Sequence, residues 1–176
     1  MELNKIIKPK GTFLLLAVLI FAFSSCTISY KFNGASIDYT KTRSISIADF
    51  PNTAELVHPP LSQEFSEKLR DVYTKQTRLQ VLKKAGDMHL EGEITGYQLT
   101  PMAISADTYA SETKLTITIK VRFTNNKNPT EDFEKTYSAY QTFDSNLMLN
   151  DVRDELLKTM IDEITDNIYN DTVAKW

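Results

Sequence analysis

Apolar residues recur along the chain with two different periods, and the helix period appears twice. After a loop marked by Pro51, Pro59 and Pro60, of which Pro60 suits the first turn of a helix, it predicts a helix of about 15 residues. Its apolar face contains Leu61, Phe65, Leu69, Val72 and Tyr73. The same period returns after Asn150, whose side chain can cap a helix. This second apolar face contains Val152, Leu156, Leu157, Met160, Ile161, Ile164 and Ile168.

Strict alternation of apolar and polar residues predicts strands in the rest of the chain. The alternation is longest in residues 114–123 and recurs in residues 89–99 and 131–143, with shorter stretches around Ile45 and Leu79. The three long segments follow one another, so they predict an antiparallel meander with one buried face. The pattern predicts an α+β fold in which two helices pack on one face of a four- or five-stranded, largely antiparallel sheet.

Charged residues on the outward face of these segments predict the strand register. In the first pairing, Glu91 lies opposite Arg122 and Glu93 lies opposite Lys120. A shift by one residue would bury these charges, whereas a shift by two residues stays open. The buried row of the first segment is then expected to contain Leu90, Gly92, Ile94 and Gly96.

The third segment is expected to pair with the second in the same manner. Glu134 then lies beside Arg122, and Phe133 lies opposite Phe123 on the buried face. Opposed charges and aromatic pairs of this kind contribute roughly 0.2–1 kcal/mol each. Lys114 is the cation that this register leaves without an opposed carboxylate.

The first 26 residues predict export and lipid attachment. Lysines precede an apolar run at residues 13–23, which is too short to span a bilayer and is typical of a signal peptide. The run ends at Ser24-Ser25-Cys26, which resembles the signal of a bacterial lipoprotein, although Phe23 stands where that signal usually has Leu. The resemblance implies cleavage before Cys26 and acylation, by palmitate for example, of its thiol and new amine. The alternative is an ordinary secreted protein with a free thiol.

Removal of residues 1–25 leaves 151 residues, enough for one domain with a sizeable core. We expect a lipidated tether at 26–43 and a folded domain at 44–176. The removed segment contains three lysines and one glutamate, so the net charge changes from −3 to −5. An acidic domain gains little from general attraction to nucleic acid, and we expect no nucleic-acid partner.

No group of residues in the sequence is typical of a catalytic site. Asp87 and His89 share a strand face, but no nucleophile motif accompanies them, and His58 lies in a proline-rich loop. The five glycines form no phosphate-binding loop, and no metal-binding motif occurs. The sequence therefore favours a binding or assembly protein over an enzyme, with no cofactor apart from the lipid on Cys26.

Four segments resemble the LptE family of lipopolysaccharide-assembly lipoproteins, in the branch found in Bacteroidetes-like bacteria. Residues 30–34 and SISIADFPNTAELVHPPLSQEFSEKLRD at 44–71 resemble the family's opening. GDMHLEGEITGYQLTPMAIS at 86–105 resembles its central hairpin strand, and DEITDNIYNDTVAKW at 162–176 resembles its closing segment. The resemblance implies two helices on a sheet behind a lipidated N-terminus, which agrees with the periodicity.

The resemblance also implies a non-enzymatic role as a plug inside the LptD β-barrel of the outer membrane. There the family helps the barrel to assemble and helps to deliver lipopolysaccharide to the cell surface. The resemblance further implies binding of lipopolysaccharide through basic residues of the sheet. The candidates in this sequence are Lys114, Lys120 and Arg122. Lys120 and Arg122 have an alternative role in the cross-strand pairs described above. The connections at 101–112 and 125–130 are expected to contact the barrel wall.

Two other functions stay open at the level of sequence. A stand-alone periplasmic lipid-binding lipoprotein would need an apolar pocket between the helices and the sheet. A hydrolase would need a nucleophile and a base, and no such pair can be identified in the sequence. Recovery of a large β-barrel with the chain would distinguish the LptE-like role from both.

Overall fold

The computed structural model describes residues 37–102 and 111–174. In chain order, the elements are β1 (Ser44–Ile47), α1 (Pro59–Gln76), β2 (Gln80–Leu82), β3 (Met88–Pro101), β4 (Glu112–Asn125), β5 (Phe133–Asp144) and α2 (Leu149–Thr172). This confirms the predicted α+β class. Residues 1–36, 103–110 and 175–176, with Cys26 and most of the 101–112 connection, lie outside the described residues.

The strands form one sheet in the order β2-β1-β3-β4-β5. Strands β3, β4 and β5 form the predicted antiparallel meander. Strand β1 is parallel to both of its neighbours. The parallel pairing of β1 with β2 follows from the helix between them, because a strand can return in the same direction only after a crossover, here α1. The fifth strand and the mixed edge therefore come from one β1–α1–β2 unit.

The predicted register holds for the whole β4–β5 pair and for the first half of the β3–β4 pair. Glu91 lies opposite Arg122 and Glu93 opposite Lys120, as expected, and Glu134 lies opposite Arg122. No two-residue shift occurs.

The second half of the β3–β4 pair differs from the prediction because of a β-bulge between Ile94 and Gly96. Beyond the bulge, Gly96 lies opposite Thr118 and Tyr97 lies opposite Ile117. The prediction that Gly96 shares the buried face with Ile94 is therefore wrong. One extra residue in β3 reverses the alternation and turns Tyr97 toward the helices.

The two helices run parallel on the inner face of the sheet. Near their ends the Tyr73 hydroxyl hydrogen-bonds the Thr172 hydroxyl, and near their starts Arg153 lies beside His58. The core between helices and sheet consists of fully buried side chains from both layers, among them Leu61, Phe65, Leu69, Leu90, Ile94, Leu115, Ile119, Phe123, Met160, Ile164 and Ile168.

The helix starts agree with the sequence at α1 but not at α2. Helix α1 begins at Pro59, one residue earlier than expected, and Pro60 lies in its first turn as predicted. Helix α2 begins at Leu149, with Met148 in the N-cap position and without a side-chain cap. The prediction that Asn150 caps this helix is therefore wrong; Asn150 lies inside the first turn and accepts a hydrogen bond from Arg153.

The described end of the expected tether contacts the domain. Ile37 and Tyr39 are partly buried against the core, and Arg43 donates a backbone hydrogen bond to Asp87 over 2.9 Å. Within residues 37–102 and 111–174, no helix is both long and apolar enough to span a membrane. The lipid anchor at Cys26 stays a prediction.

Candidate functional site

The face of β3, β4 and β5 that points away from the helices, which we call the outer face, is polar along its whole length. Strand alternation places these side chains there, since every second residue belongs to the covered inner face. Its members are His89, Glu91, Glu93, Gln98, Thr100, Glu112, Lys114, Thr116, Thr118, Lys120, Arg122, Thr124, Glu134, Thr136, Ser138, Tyr140, Thr142 and Asp144.

Two of the three predicted phosphate-binding cations meet at one carboxylate of the outer face. Glu134 lies between Lys120 and Arg122, with Oε1 2.7 Å from Lys120 Nζ and Oε2 3.2 Å from Arg122 Nη2. Arg122 also reaches Glu91, with 3.5 Å between Nη1 and Oε1. The hydrogen bonds from Lys120 and then from Arg122 hold the pKa of Glu134 below its usual value. The cations are therefore adjacent, exposed and already paired.

The third cation, Lys114, lies apart from the other two. It is six residues from Lys120 on the same strand face, which corresponds to about 20 Å along the strand. Its Nζ lies 5.5 Å from the centre of the exposed Tyr140 ring, a cation–π distance. The three cations therefore form one pair and one separate site.

The paired cations form one wall of a shallow cleft of about 350 Å³ between the end of β1 and the meander. Carboxylates also line the cleft, and one of them, Asp49, is itself paired with Arg70 of α1. A phosphate that enters the cleft must replace Glu134 at Lys120 and Arg122. The lining residues are Ala48, Asp49, Pro51, Glu91, Gly92, Glu93, Lys120, Arg122 and Glu134.

A serine, a histidine and a glutamate lie in series across β1 and β3, a contact that sequence reasoning missed. Ser46 Oγ is 2.8 Å from His89 Nδ1, and His89 Nε2 is 3.2 Å from Glu91 Oε2. Ser46 is only 1% exposed and also donates to the Met88 carbonyl, so a substrate has no approach to its hydroxyl. The arrangement joins two strands and does not form a nucleophilic site. The described ranges also contain no group of three or more His, Cys, Asp and Glu side chains that could hold a metal ion.

The model of the family described as "LptE: Lipopolysaccharide-assembly" matches residues 42–172. Similar solved structures include rare lipoprotein B from Shewanella oneidensis (14% identity, 73% of this chain and 92% of that chain, TM-score 0.49). A minor lipoprotein from Acinetobacter baumannii has 14% identity over 68% of this chain and 89% of that chain, with a TM-score of 0.42. Lipoprotein GNA1162 from Neisseria meningitidis has 13% identity over 73% and 99%, with a TM-score of 0.42.

No curated protein matches the sequence. The three structural similarities are low in both identity and TM-score, so the assignment depends on the family model alone. That model covers the domain from the residues just before β1 to the last residue of α2, which is well over half of the chain. The chain therefore belongs to the LptE family of lipopolysaccharide-assembly proteins.

Proposed function

We propose that this chain is an outer-membrane lipoprotein, anchored through Cys26, that acts as a plug and assembly partner of an LptD-type β-barrel. In this role it takes part in the transport of lipopolysaccharide to the cell surface and catalyses no reaction. The family match over residues 42–172 is the observation that carries the proposal. Two acyl chains on Cys26 would give a stable attachment, because each buried methylene contributes about 0.8 kcal/mol.

The polar outer face supports the placement inside a barrel. The lumen of a large outer-membrane barrel is polar and filled with water, so an inserted domain must present polar side chains to it. Alternation along β4 gives such a surface, with Thr116, Thr118 and Lys120 outward and Ile117 and Ile119 buried. The domain can thus enter a hydrated lumen without exposing its core.

Direct contact with lipopolysaccharide is best supported at Lys120 and Arg122. Phosphate groups favour closely spaced cations, and these two share one carboxylate, Glu134. The carboxylate shows that an oxyanion fits between them. Lys114, beside Tyr140, would serve as a separate contact.

Affinity purification of the tagged full-length chain in mild detergent tests the proposal. We expect a large β-barrel to be recovered, and depletion of the chain to reduce lipopolysaccharide at the cell surface. Cys26→Ala should release the chain from the membrane fraction, with Ser25→Ala as the matched control. Surface lipopolysaccharide that is unchanged after depletion would contradict the proposal.

The alternative, a stand-alone lipid carrier, requires an apolar pocket between helices and sheet. Phe65 of α1, Ile119 of β4 and Ile164 of α2 are all fully buried in that space. Close packing of these side chains leaves the alternative without a supporting observation. Binding of a free fatty acid by the purified chain, with no barrel recovered, would revive it.

A further inference from the structure

Four buried hydrogen-bond donors have no acceptor among the described residues. One is the Nε of Arg70, a side chain that pairs with Asp49 through another nitrogen; the other three come from the segment after β1, from β3 beyond the bulge and from the start of α2. These three are the side-chain amide of Asn52, the hydroxyl of Tyr97 and the Nε of Arg153. Tyr97 is 6% exposed as a whole. Buried polar groups in folded proteins nearly always have a partner, so each exception requires an explanation.

These donors come from three elements. Asn52 follows β1 and is bridged to Ile94 of β3, just before the bulge. The bulge turns Tyr97 inward, where its ring stacks on His58 with 6.2 Å between centroids and 22° between planes. Arg153 of α2 places Nη1 3.5 Å from His58 Nδ1. We call Asn52, His58, Tyr97 and Arg153 the donor niche.

The charge of Arg153 and the two helix starts favour an anion in the donor niche, against the one carboxylate, Asp151, in the first turn of α2. Burial raises the pKa of Tyr97, whereas the charge of Arg153 and a hydrogen bond with its side chain act against that rise. Helices α1 and α2 are parallel, so the positive ends of both helix dipoles lie at this end of the domain. Neither N-cap residue, His58 or Met148, forms a side-chain hydrogen bond that would satisfy the first turn.

Exposed apolar side chains lie in the two loops that lead into these helices. Apolar side chains next to a polar anchor are typical of surfaces that bind proteins. Arg and Tyr are also the residue types that most often dominate the energy of such interfaces. The exposed residues are Leu56 and Val57 before α1, and Leu147 and Met148 before α2.

We infer that the donor niche binds the carboxylate of an Asp or Glu side chain of a protein partner, on a segment whose apolar residues cover Val57 and Met148. An ionised carboxylate only accepts hydrogen bonds, and it can accept from Tyr97 and Arg153 at once. One guanidinium with neutral donors suits a single negative charge, whereas a phosphate favours several cations. The identification of the partner as the LptD-type barrel rests on the proposed function. The niche itself does not depend on that function.

Acetate titration of the full-length lipidated chain in detergent tests the niche without a barrel. The readout is the NMR signal of the Arg153 Nε–H, with sodium acetate, sodium phosphate and sodium chloride compared at equal ionic strength. Acetate should shift the signal saturably, and Tyr97→Phe should raise the midpoint roughly tenfold, as expected for one lost hydrogen bond to a charge. Tyr140→Phe, on the exposed outer face, should leave the midpoint unchanged.

The same titration can overturn the inference. Equal shifts with chloride would indicate a general ionic effect, and saturation by phosphate but not by acetate would indicate a phosphate site. If Tyr97→Phe leaves the midpoint unchanged, the Tyr97 hydroxyl does not bind the carboxylate, and the inference is wrong.

Crosslinking in the purified barrel complex tests the partner. Photoreactive residues at Val57 and Met148 should crosslink to a barrel segment that contains an Asp or Glu between apolar residues. A photoreactive residue at the exposed Lys84 serves as the control for labelling. A barrel recovered without crosslinks at the two apolar positions would overturn the inference and leave the proposed function intact. If no barrel is recovered, the proposed function fails, and the acetate result alone decides the niche.

Discussion

The two ends of the domain differ in how they satisfy their polar groups. Where β3 begins and β4 ends, the charges pair with one another, as Glu134 does with Lys120 and Arg122. Beyond the bulge, Tyr97 and Arg153 have buried donors without an acceptor in the described residues, whereas near the paired cleft this holds only for the Nε of Arg70. Groups that are satisfied within the chain contribute to its own stability. Groups that stay unsatisfied lower it, and proteins keep such groups mainly where function needs them.

The largest effect that we expect is at Gly92, within the paired end. A Cβ at this position would lie 2.1 Å from the Lys120 carbonyl oxygen and 2.6 Å from the Phe50 ring. Neither the β4 backbone nor a buried ring can move aside cheaply. We therefore expect Gly92→Ala to lower the free energy of unfolding by about 3 kcal/mol or more, measured by urea denaturation.

Gly96 provides the matched control on the other side of the bulge. A Cβ there would lie 3.0 Å from Thr118 Cβ, which belongs to a side chain on the outer face. Gly96→Ala should change the free energy of unfolding by less than about 1 kcal/mol. Equal losses of stability in the two variants would contradict the conclusion that the β4 backbone lies closer to Gly92 than to Gly96.

The next largest effect is expected at Asp87, which ties the chain before β1 to the start of β3. Its Oδ2 accepts backbone hydrogen bonds from Arg43 over 2.9 Å and from Ser44 over 3.2 Å, and Oδ1 lies 3.2 Å from Lys127 Nζ. We expect Asp87→Asn to lower the free energy of unfolding by about 2 kcal/mol at pH 7. Asp154→Asn, at an exposed site on α2, should stay within about 0.5 kcal/mol of the wild type.

The effect of Asp87→Asn should depend on pH in one direction. The hydrogen bond from Arg43, followed by those from Lys127 and Ser44, holds the pKa of Asp87 below its usual value. A carboxyl with a lowered folded-state pKa stabilises the fold above its unfolded value of about 4, and this contribution is lost as the pH falls through the folded value. The difference between wild type and variant should therefore shrink below pH 4. A difference that is constant down to pH 2 would show that charge is not involved.

The paired end could be predicted from sequence because its signals are periodic and repeated. The alternation in residues 114–123 fixes which face is buried, and the charges at Glu91 and Arg122 fix the register. The bulge between Ile94 and Gly96 could not be predicted, because the polar Thr95 leaves the alternation of apolar and polar residues in the sequence unbroken. The parallel direction of β1 could not be predicted either, because a short strand carries no sequence signal for its direction.

The candidate site was predicted only in part for a related reason. Lys120 and Arg122 share one strand face, so the sequence places them together. The donor niche combines Asn52, Tyr97 and Arg153, which are about 50 residues apart in sequence and lie on three elements. Only the bulge turns Tyr97 toward the start of α2, so the residue pattern holds no signal for the contact.

Tyr97→Phe should raise the free energy of unfolding, whereas loss of a hydroxyl that is satisfied within the chain should lower it. The change removes a buried hydroxyl whose O–H has no acceptor in the described part of the chain, while the ring keeps its place beside His58. We expect the free energy of unfolding of the chain alone to rise by about 1 kcal/mol. Tyr137→Phe is the matched control, because the Tyr137 hydroxyl donates to Asp171 over 2.7 Å and its loss should lower stability by a similar amount. A loss of stability in both variants would mean that Tyr97 is satisfied within the chain.

The smallest effect on stability is expected at Glu134, where the consequence for binding is larger. The carboxylate is exposed, so the ion pairs contribute little to the fold. Glu134→Gln should leave Lys120 and Arg122 without their shared anion and increase the retention of purified lipopolysaccharide by the chain. Glu112→Gln removes the same charge from another part of the outer face and controls for net charge. Weaker or unchanged retention by Glu134→Gln, relative to Glu112→Gln, would mean that Lys120 and Arg122 serve only to pair the strands and that the phosphate contact lies elsewhere.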